Sequence, residues 1–116
     1  MTEVRSAVPS EYVTARSILE AALLEVDTGV LRRSSVLVGL ADGRVLGALV
    51  LRGIEIDAIA VRPGRRGQGV GTRLVREAAR RRPVLSAAFD PSVEPFYTDL
   101  GFEVTRASGR CRGVYE

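Results

Sequence analysis

The chain has 116 residues, 46% of them apolar and 27% charged, with a formal net charge of +3 and a mean hydropathy of +0.09. That is chain enough for one domain with its own core and too apolar for a disordered polymer. Histidine and lysine are absent and Cys111 is the single cysteine, which excludes the commonest metal ligand, the commonest general base and any internal disulfide.

All 17 basic residues are arginine and asparagine is missing as well, a pattern of codon bias in a GC-rich genome. It cautions against giving every arginine a chemical role. No run of about 18 apolar residues is present to cross a bilayer as a helix. Met1–Arg5 lacks the basic-then-apolar opening of a signal peptide, so the expectation is a cytoplasmic protein that meets no membrane.

In chain order, Val4–Val8 reads as an edge strand. Ser10 is the expected N-cap of a first helix, with Glu11 favourable in its first turn. Apolar residues at Tyr12, Ala15, Leu19, Ala22, Leu23 and Val26 then recur at helical spacing, with Gly29 as the stop. Leu31–Ser35 is either a loop or an extra helical turn. Val36–Leu40 and Arg44–Leu51 flank Asp42-Gly43 and form a hairpin. A third strand, Ile54–Val61, follows the Arg52-Gly53 turn. Its apolar residues, Ile54 and Ile56 against Ile59 and Val61, predict burial on both faces. The spacing of Leu74, Val75, Ala78 and Ala79 predicts a helix over 71–82 that Pro83 ends, with Glu77 four residues from both Arg73 and Arg81. Val84–Phe89 is a strand, parallel to its predecessor by way of a right-handed crossover. Pro95–Leu100 is a short helix closed by Gly101, and a last hairpin turns at Ser108-Gly109. The order β-α-β-β-β-α-β-α-β-β predicts an α/β mixed sheet with helices on both faces, as a single domain over residues 1–116.

Between the third strand and the second helix lie four glycines (Gly64, Gly67, Gly69 and Gly71) and three arginines (Arg62, Arg65 and Arg66). Glycines admit positive φ and close backbone approach, and a helix start presents free N–H groups with the positive end of its dipole. Together they describe an anion cradle. The nucleotide P-loop is excluded, since Val70 stands where it requires lysine. The dinucleotide fingerprint is excluded as well, since Thr72 stands where it requires glycine and three antiparallel strands precede the loop.

Arg66-Gly67-Gln68-Gly69-Val70-Gly71, entered from Ile56–Pro63, resembles the Arg-x-x-Gly-x-Gly loop of the GCN5-related N-acetyltransferase (GNAT) superfamily. Phe96-Tyr97-Thr98-Asp99-Leu100-Gly101-Phe102 resembles that family's second signature, Phe-Tyr-x-x-Leu-Gly-Phe. Val4–Ala7 with Pro9 resembles its opening, and Gly43–Gly47 its second hairpin, so the resemblance runs from Val4 to Val104. One departure stands out: the stretch between the first helix and the second strand, which carries much of the acceptor site in the family, is reduced here.

The resemblance implies an acetyl-CoA-dependent N-acetyltransferase, in which a primary amine attacks the thioester directly through a tetrahedral intermediate. It implies that the backbone N–H groups of Gln68, Gly69, Val70, Gly71 and Thr72, with Gly67 and the charge of Arg66, hold the pyrophosphate. The pantetheine arm would pair with the backbone of Ile59, Ala60 and Val61, which requires that strand to splay from Val84–Phe89. A backbone N–H near Val61 would face the oxyanion. Tyr97 matches the family's acid toward the leaving thiolate. Glu55 is the candidate base, with Asp57, Asp90 and a water chain as alternatives. No metal is implied. The acceptor, whether a small molecule or a protein amine, stays open among polyamines, amino acids, antibiotics, protein N-termini and protein lysines. A homodimer is a possible assembly. The rival class is a binding module, either a non-catalytic acyl-CoA sensor or a basic domain on nucleic acid. The pI of 9.7 speaks for the latter, and the scarcity of aromatics speaks against it, so no nucleic-acid partner is expected.

Overall fold

In chain order the elements are β1 (Glu3–Ser6), α1 (Tyr12–Ala21), α2 (Thr28–Arg33), β2 (Ser35–Ala41), β3 (Arg44–Arg52) and β4 (Glu55–Val61). They continue with α3 (Val70–Arg81), β5 (Leu85–Phe89), α4 (Glu94–Asp99), β6 (Glu103–Ala107) and β7 (Arg110–Tyr115). The structure is a computed structural model that describes residues 2–22, 24, 26 and 28–116, of residue 28 the backbone alone. The strands form one seven-stranded sheet in the order β1-β2-β3-β4-β5-β7-β6, antiparallel except for the β4–β5 pair. This is the predicted mixed sheet, with α2 added to the predicted order.

Helices cover both faces because β2 and β3 are apolar on both. Leu37, Leu46, Leu49 and Leu51 turn to the α3 side, and Val36, Val38, Ala48 and Val50 to the α1 side. Burial on two faces explains why these strands read as continuous apolar runs rather than alternating ones. The β2–β3 and β6–β7 hairpins turn through two residues of positive φ, Asp42 (54°) with Gly43 (77°) and Ser108 (55°) with Gly109 (75°), the pairing that a type I′ turn requires.

The first helix differs from the reading of the sequence. Ser10 is no cap: Pro9–Glu11 forms a 3-10 turn, and the Glu11 carboxylate accepts the Val8 N–H at 3.0 Å and both Arg5 guanidinium nitrogens at 2.8 Å. That bidentate pair holds the Glu11 carboxyl below its ordinary pKa and ties β1 to the helix. Gly29 is no stop either; α1 ends at Ala21 and Gly29 sits inside α2, which settles the choice over Leu31–Ser35 in favour of a helical turn up to Arg33. Leu23, counted in the apolar stripe, lies outside the described residues. On α3, Glu77 pairs with Arg81 (2.9 Å) and Arg80 (3.6 Å), whereas Arg73 donates to the Thr2 carbonyl at 3.4 Å.

β4 also departs from expectation. Its register against β3 shifts between Val50–Ala58 and Leu51–Ile56, leaving Asp57 as the extra residue of a β-bulge. The bulge inverts the side-chain alternation. Ile56, Ile59 and Val61 all face α3, while Ala58 and Ala60 face α1. Ile54, expected in the strand, sits in the preceding turn and is 46% exposed.

Two glycines directly opposite each other, Gly39 and Gly47, form a hollow in the α3 side of the sheet. A Cβ on Gly47 would lie 3.0 Å from the Ala60 carbonyl oxygen and 3.1 Å from Val70 Cγ1. Val70 is the first residue of α3, so this hollow sets how close the glycine loop comes to the sheet. Gly47→Ala should cost about 1–3 kcal/mol through overpacking against backbone, read as a lowered midpoint in denaturant unfolding. An unchanged midpoint would mean that α3 is free to shift outward.

Candidate active site

β4 and β5 pair only at Glu55–Ser86 and Ile56–Ala87 and then part. The splay required of an acetyl-CoA cleft is therefore present. Arg62 donates its N–H to the Leu46 carbonyl at 2.8 Å. Counting back in twos along the antiparallel ladder, Ala60 and Ala58 also direct their backbone groups at β3. Ile59 and Val61, alternating with them, turn theirs toward the gap left by β5. Of the three strand residues assigned to the pantetheine arm, Ile59 and the Val61 N–H thus present free backbone edge among the described residues, and Ala60 spends its own on Ala48. The Val61 carbonyl accepts Arg66 Nε at 3.3 Å, while Arg62 donates Nε to the Val45 carbonyl at 2.8 Å and pins the loop to β3.

Past a 3-10 turn at Pro63–Arg65, the loop reaches α3 through Gly67 and Gly69, at φ of 78° and 84°. The first bond of α3 runs from the Arg73 N–H to the Gly69 carbonyl at 3.0 Å, so the N–H groups of Val70, Gly71 and Thr72 precede the helical ladder and point outward. No side chain caps Gly69 among the described residues. A Cβ on Gly67 or Gly69 would meet no protein atom within 4 Å. The concavity beside them, about 200 Å³, is walled by Gly67, Gly69, Val70, Gly71 and Thr72, with Arg65, Arg66 and Phe96 around it; the side chain and backbone of Gln68 lie outside that wall. A hollow of outward N–H groups at a helix start, flanked by two guanidiniums, fits a pyrophosphate.

The second motif forms a wall of the cleft. Asp90 starts its 3-10 turn, Pro91–Val93, by accepting the Ser92 N–H at 2.9 Å, and this bond holds the Asp90 carboxyl below its ordinary pKa. At the end of α4, Gly101 (φ 99°) donates to the Thr98 carbonyl at 3.0 Å and Phe102 to the Tyr97 carbonyl at 3.1 Å. These are the two bonds of a Schellman cap, and the apolar contact that accompanies such a cap is the Tyr97–Phe102 ring pair, 5.1 Å apart. The Gly-Phe of the motif is thus the device that stops α4 and backs Tyr97. Tyr97 also stacks on Phe89 at 4.1 Å and meets the edge of Phe96 at 5.1 Å. Room for these rings comes from Gly113, where a Cβ would lie 3.1 Å from Phe89 and 3.2 Å from Phe102.

Tyr97 is 4% exposed, and burial, with the charge of Glu55 second, pushes its hydroxyl up to about 12. It lines a cavity of about 400 Å³ together with Ile59, Phe89, Phe96, Asp57 and Asp90. Phe96 walls both this cavity and the loop concavity. Among the described residues nothing hydrogen-bonds the Tyr97 hydroxyl, so its proton is available to a group in the cleft.

The carboxylates divide by position. Glu55 stands on the first of the two paired rungs, one before the strands part. It accepts the Ser86 hydroxyl at 2.6 Å and Arg112 Nη1 at 3.3 Å, and it does not line the cleft. Asp57, put forward from the sequence as an alternative, is turned to the cleft by its bulge and pairs with Arg52 at 3.2 Å. The bulge had a signal in the sequence: the large apolar residues at 56, 59 and 61 break period two between 56 and 59. Cys111 is buried near the Glu94–Arg106 pair, and burial raises its thiol pKa.

Comparison with known proteins agrees with this geometry. The family model described as Acetyltransferase (GNAT) domain matches residues 32–104. No curated protein matches the chain. Among solved structures, the GCN5-related N-acetyltransferase from Rhodopseudomonas palustris superposes with a TM-score of 0.81 at 16% identity, over 100% of this chain and 96% of that one. Rv2747 from Mycobacterium tuberculosis, in complex with CoA, superposes with a TM-score of 0.85 at 16% identity, over 97% of each chain. The yncA protein of Salmonella typhimurium, solved with its cofactor acetyl-CoA, gives 0.74 at 20% identity, over 100% of this chain and 94% of that one. At these identities the structures speak for the fold, and the family match speaks for descent. With a splayed β4–β5 pair, an uncapped glycine loop opening α3 and the family's model matching more than half its length, the chain belongs to the GNAT acetyltransferase family.

Proposed function

We propose that the protein transfers the acetyl group of acetyl-CoA to a primary amine. The observation that carries this reading is the free edge of β4, where, among the described residues, the Ile59 backbone and the Val61 N–H stay unpaired between an anion cradle at one end and the Tyr97 hydroxyl at the other. Unpaired backbone groups in a partly buried strand are costly, and an amide-bearing chain laid along them restores their hydrogen bonds as an added strand does. Acetyl-CoA supplies such a chain, a pyrophosphate and an activated acetyl thioester.

The residues of this chain divide the remaining work. The N–H groups of Gly67, Gly69, Val70, Gly71 and Thr72, with Arg66 and Arg65, hold the pyrophosphate through several modest contacts. The Val61 N–H faces the site of the developing oxyanion. Asp57 receives the amine and is placed to take its proton. Tyr97 donates a hydrogen bond to the departing sulfur. Glu55, the base expected from the family, acts in this reading from a distance: its charge keeps the Tyr97 proton in place, and its bond to Ser86 ties β4 to β5 where the two strands are still paired.

Thermal unfolding with millimolar acetyl-CoA, CoA or an oligonucleotide tests the reading. A ligand present at 100 times its Kd stabilises by about 2.7 kcal/mol, which should raise the melting point by several degrees for acetyl-CoA and CoA and not for the oligonucleotide. Release of CoA thiol over a panel of amines then separates transfer from mere sensing. The raised pKa and burial of Cys111 keep the protein's own thiol silent in that assay. An unmoved melting point with acetyl-CoA would remove the proposal, and a shift confined to the oligonucleotide would replace it with a nucleic-acid module.

A further inference from the structure

Beside the main cleft lies a second cavity of about 300 Å³, and the two share the walls formed by Leu24, Asp57 and Ala58. Among the described residues, and apart from Asp57 and Arg52, the second cavity is lined by aliphatic side chains, among them Val26 and Val50. Asp57 and Arg52 form its polar lining and are paired with each other, Nε to Oδ2 at 3.2 Å and Nη2 to Oδ1 at 3.4 Å. The pair is lopsided: Asp57 is 23% exposed and fixed by the bulge, whereas Arg52 is 72% exposed on the last position of β3. An exposed arginine at a strand end can swing away from its partner at little cost. When it does, one anion and one movable cation flank an apolar pocket that shares Asp57 with the cleft lined by Tyr97 and Ile59.

We propose that the acceptor is an apolar α-amino acid. This deepens the acetyltransferase reading and rests on it. The zwitterion takes the place of the resident ion pair: its ammonium sits on Asp57, its carboxylate on Arg52, and its aliphatic or aromatic side chain enters the second cavity. A volume near 300 Å³ lies at the small end of ligand pockets, which suits one amino-acid side chain and not a protein segment. Among the described residues, lysine-like and polyamine acceptors find a single carboxylate lining this cavity, with an arginine beside it and aliphatic walls behind, so a second positive charge there is repelled and left without water. In the transfer, the amine nitrogen forms a bond to the acetyl carbonyl carbon as the carbon–sulfur bond breaks. The products are the N-acetylamino acid, the CoA thiol and one proton. Of the three ammonium protons, one stays on the amide, one reaches the sulfur, and one passes by way of Asp57 to water.

The test compares leucine and phenylalanine with isopentylamine and phenethylamine, which lack the carboxylate, and with lysine and spermidine. The assay is CoA-thiol release at fixed acetyl-CoA, with acetyl-CoA binding followed separately by melting point. Leucine and phenylalanine should exceed their decarboxylated counterparts at least tenfold in kcat/KM and exceed lysine and spermidine by more. R52Q should bring the leucine-to-isopentylamine ratio to about parity, while its melting-point shift with acetyl-CoA stays that of the unmodified protein. The proposal is overturned if the decarboxylated amines or the polycations are preferred. It is also overturned if R52Q leaves the ratio intact, or if acetyl-CoA binds and no amino acid is acetylated. Failure of acetyl-CoA to bind would instead strike the acetyltransferase reading on which the proposal stands.

Discussion

Gly69→Val should weaken acetyl-CoA binding by about a hundredfold or more, read by titration calorimetry or by loss of the melting-point shift. Gly69 is the N-cap of α3 at φ 84°, and a Cβ there would project into the empty concavity rather than onto protein. A β-branched residue does not hold this conformation without strain of about 1–3 kcal/mol, so the loop either keeps its shape with an isopropyl group in the cradle or relaxes and misdirects the N–H groups. Losing two hydrogen bonds to a charged phosphate at about 1.5 kcal/mol each gives about 3 kcal/mol, a little over a hundredfold in Kd. The chain contains its own control. Gly43 has nearly the same φ, 77°, and equally open surroundings, but it lies in the β2–β3 hairpin turn. Gly43→Val should carry a similar stability cost and leave acetyl-CoA affinity within twofold. Equal losses of affinity in both variants would show the effect to be general destabilisation, and normal binding by Gly69→Val would place the cofactor elsewhere.

Tyr97→Phe should slow turnover tenfold to a thousandfold with acetyl-CoA affinity changed little. The substitution keeps the ring that Phe89, Phe96 and Phe102 hold and removes the hydroxyl alone. With that hydroxyl at about 12 and a free thiol near 8.5, complete proton transfer to the leaving thiolate is uphill by about 5 kcal/mol. The useful act is therefore hydrogen bonding to developing charge. The hydroxyl also stays protonated across the working range, so the variant should lower the pH–rate profile in parallel rather than reshape it. Stability supplies an independent readout. The folded value lies above the unfolded one of about 10. The contribution is therefore fully present below pH 10 and is lost as pH rises through 12, by about 2–3 kcal/mol for a group this buried. Tyr97→Phe should flatten that alkaline decline. Unchanged turnover would remove the donor role, and an unchanged alkaline slope would mean that another group carries the titration.

Much of the molecule is legible in the amino acids themselves because its signals are local. Asp42-Gly43 and Ser108-Gly109 specify their hairpins through φ alone. Val70, Leu74, Val75 and Ala78 specify a one-sided helix, and Leu100-Gly101-Phe102 specifies where α4 ends. The glycine loop and the Phe-Tyr motif are both made of neighbours in sequence, so the resemblance to the GNAT family could be read before any coordinate. Ser10 and Gly29 misled for a related reason: each carries a real local preference, which the Arg5–Glu11 pair and the packing of α2 overrode.

What only the tertiary structure decided depends on residues far apart in the chain. No local rule shows that Asp57 is the extra residue of a bulge, because a bulge is a relation between β4 and β3. That one displaced residue determines that Ile59 and Val61, and not Ala60, open their backbones to the cleft. It also aims a carboxylate at the acceptor side while Glu55 stays with Ser86 and Arg112. The hollow made by Gly39 and Gly47 under Val70, and the space that Gly113 leaves for the ring of Tyr97, are likewise distances between strands. Local conformational preference therefore wrote the cradle and the aromatic motif into the sequence. The cleft between them, and which carboxylate faces it, arose only when the sheet closed and its register left β4 half unpaired.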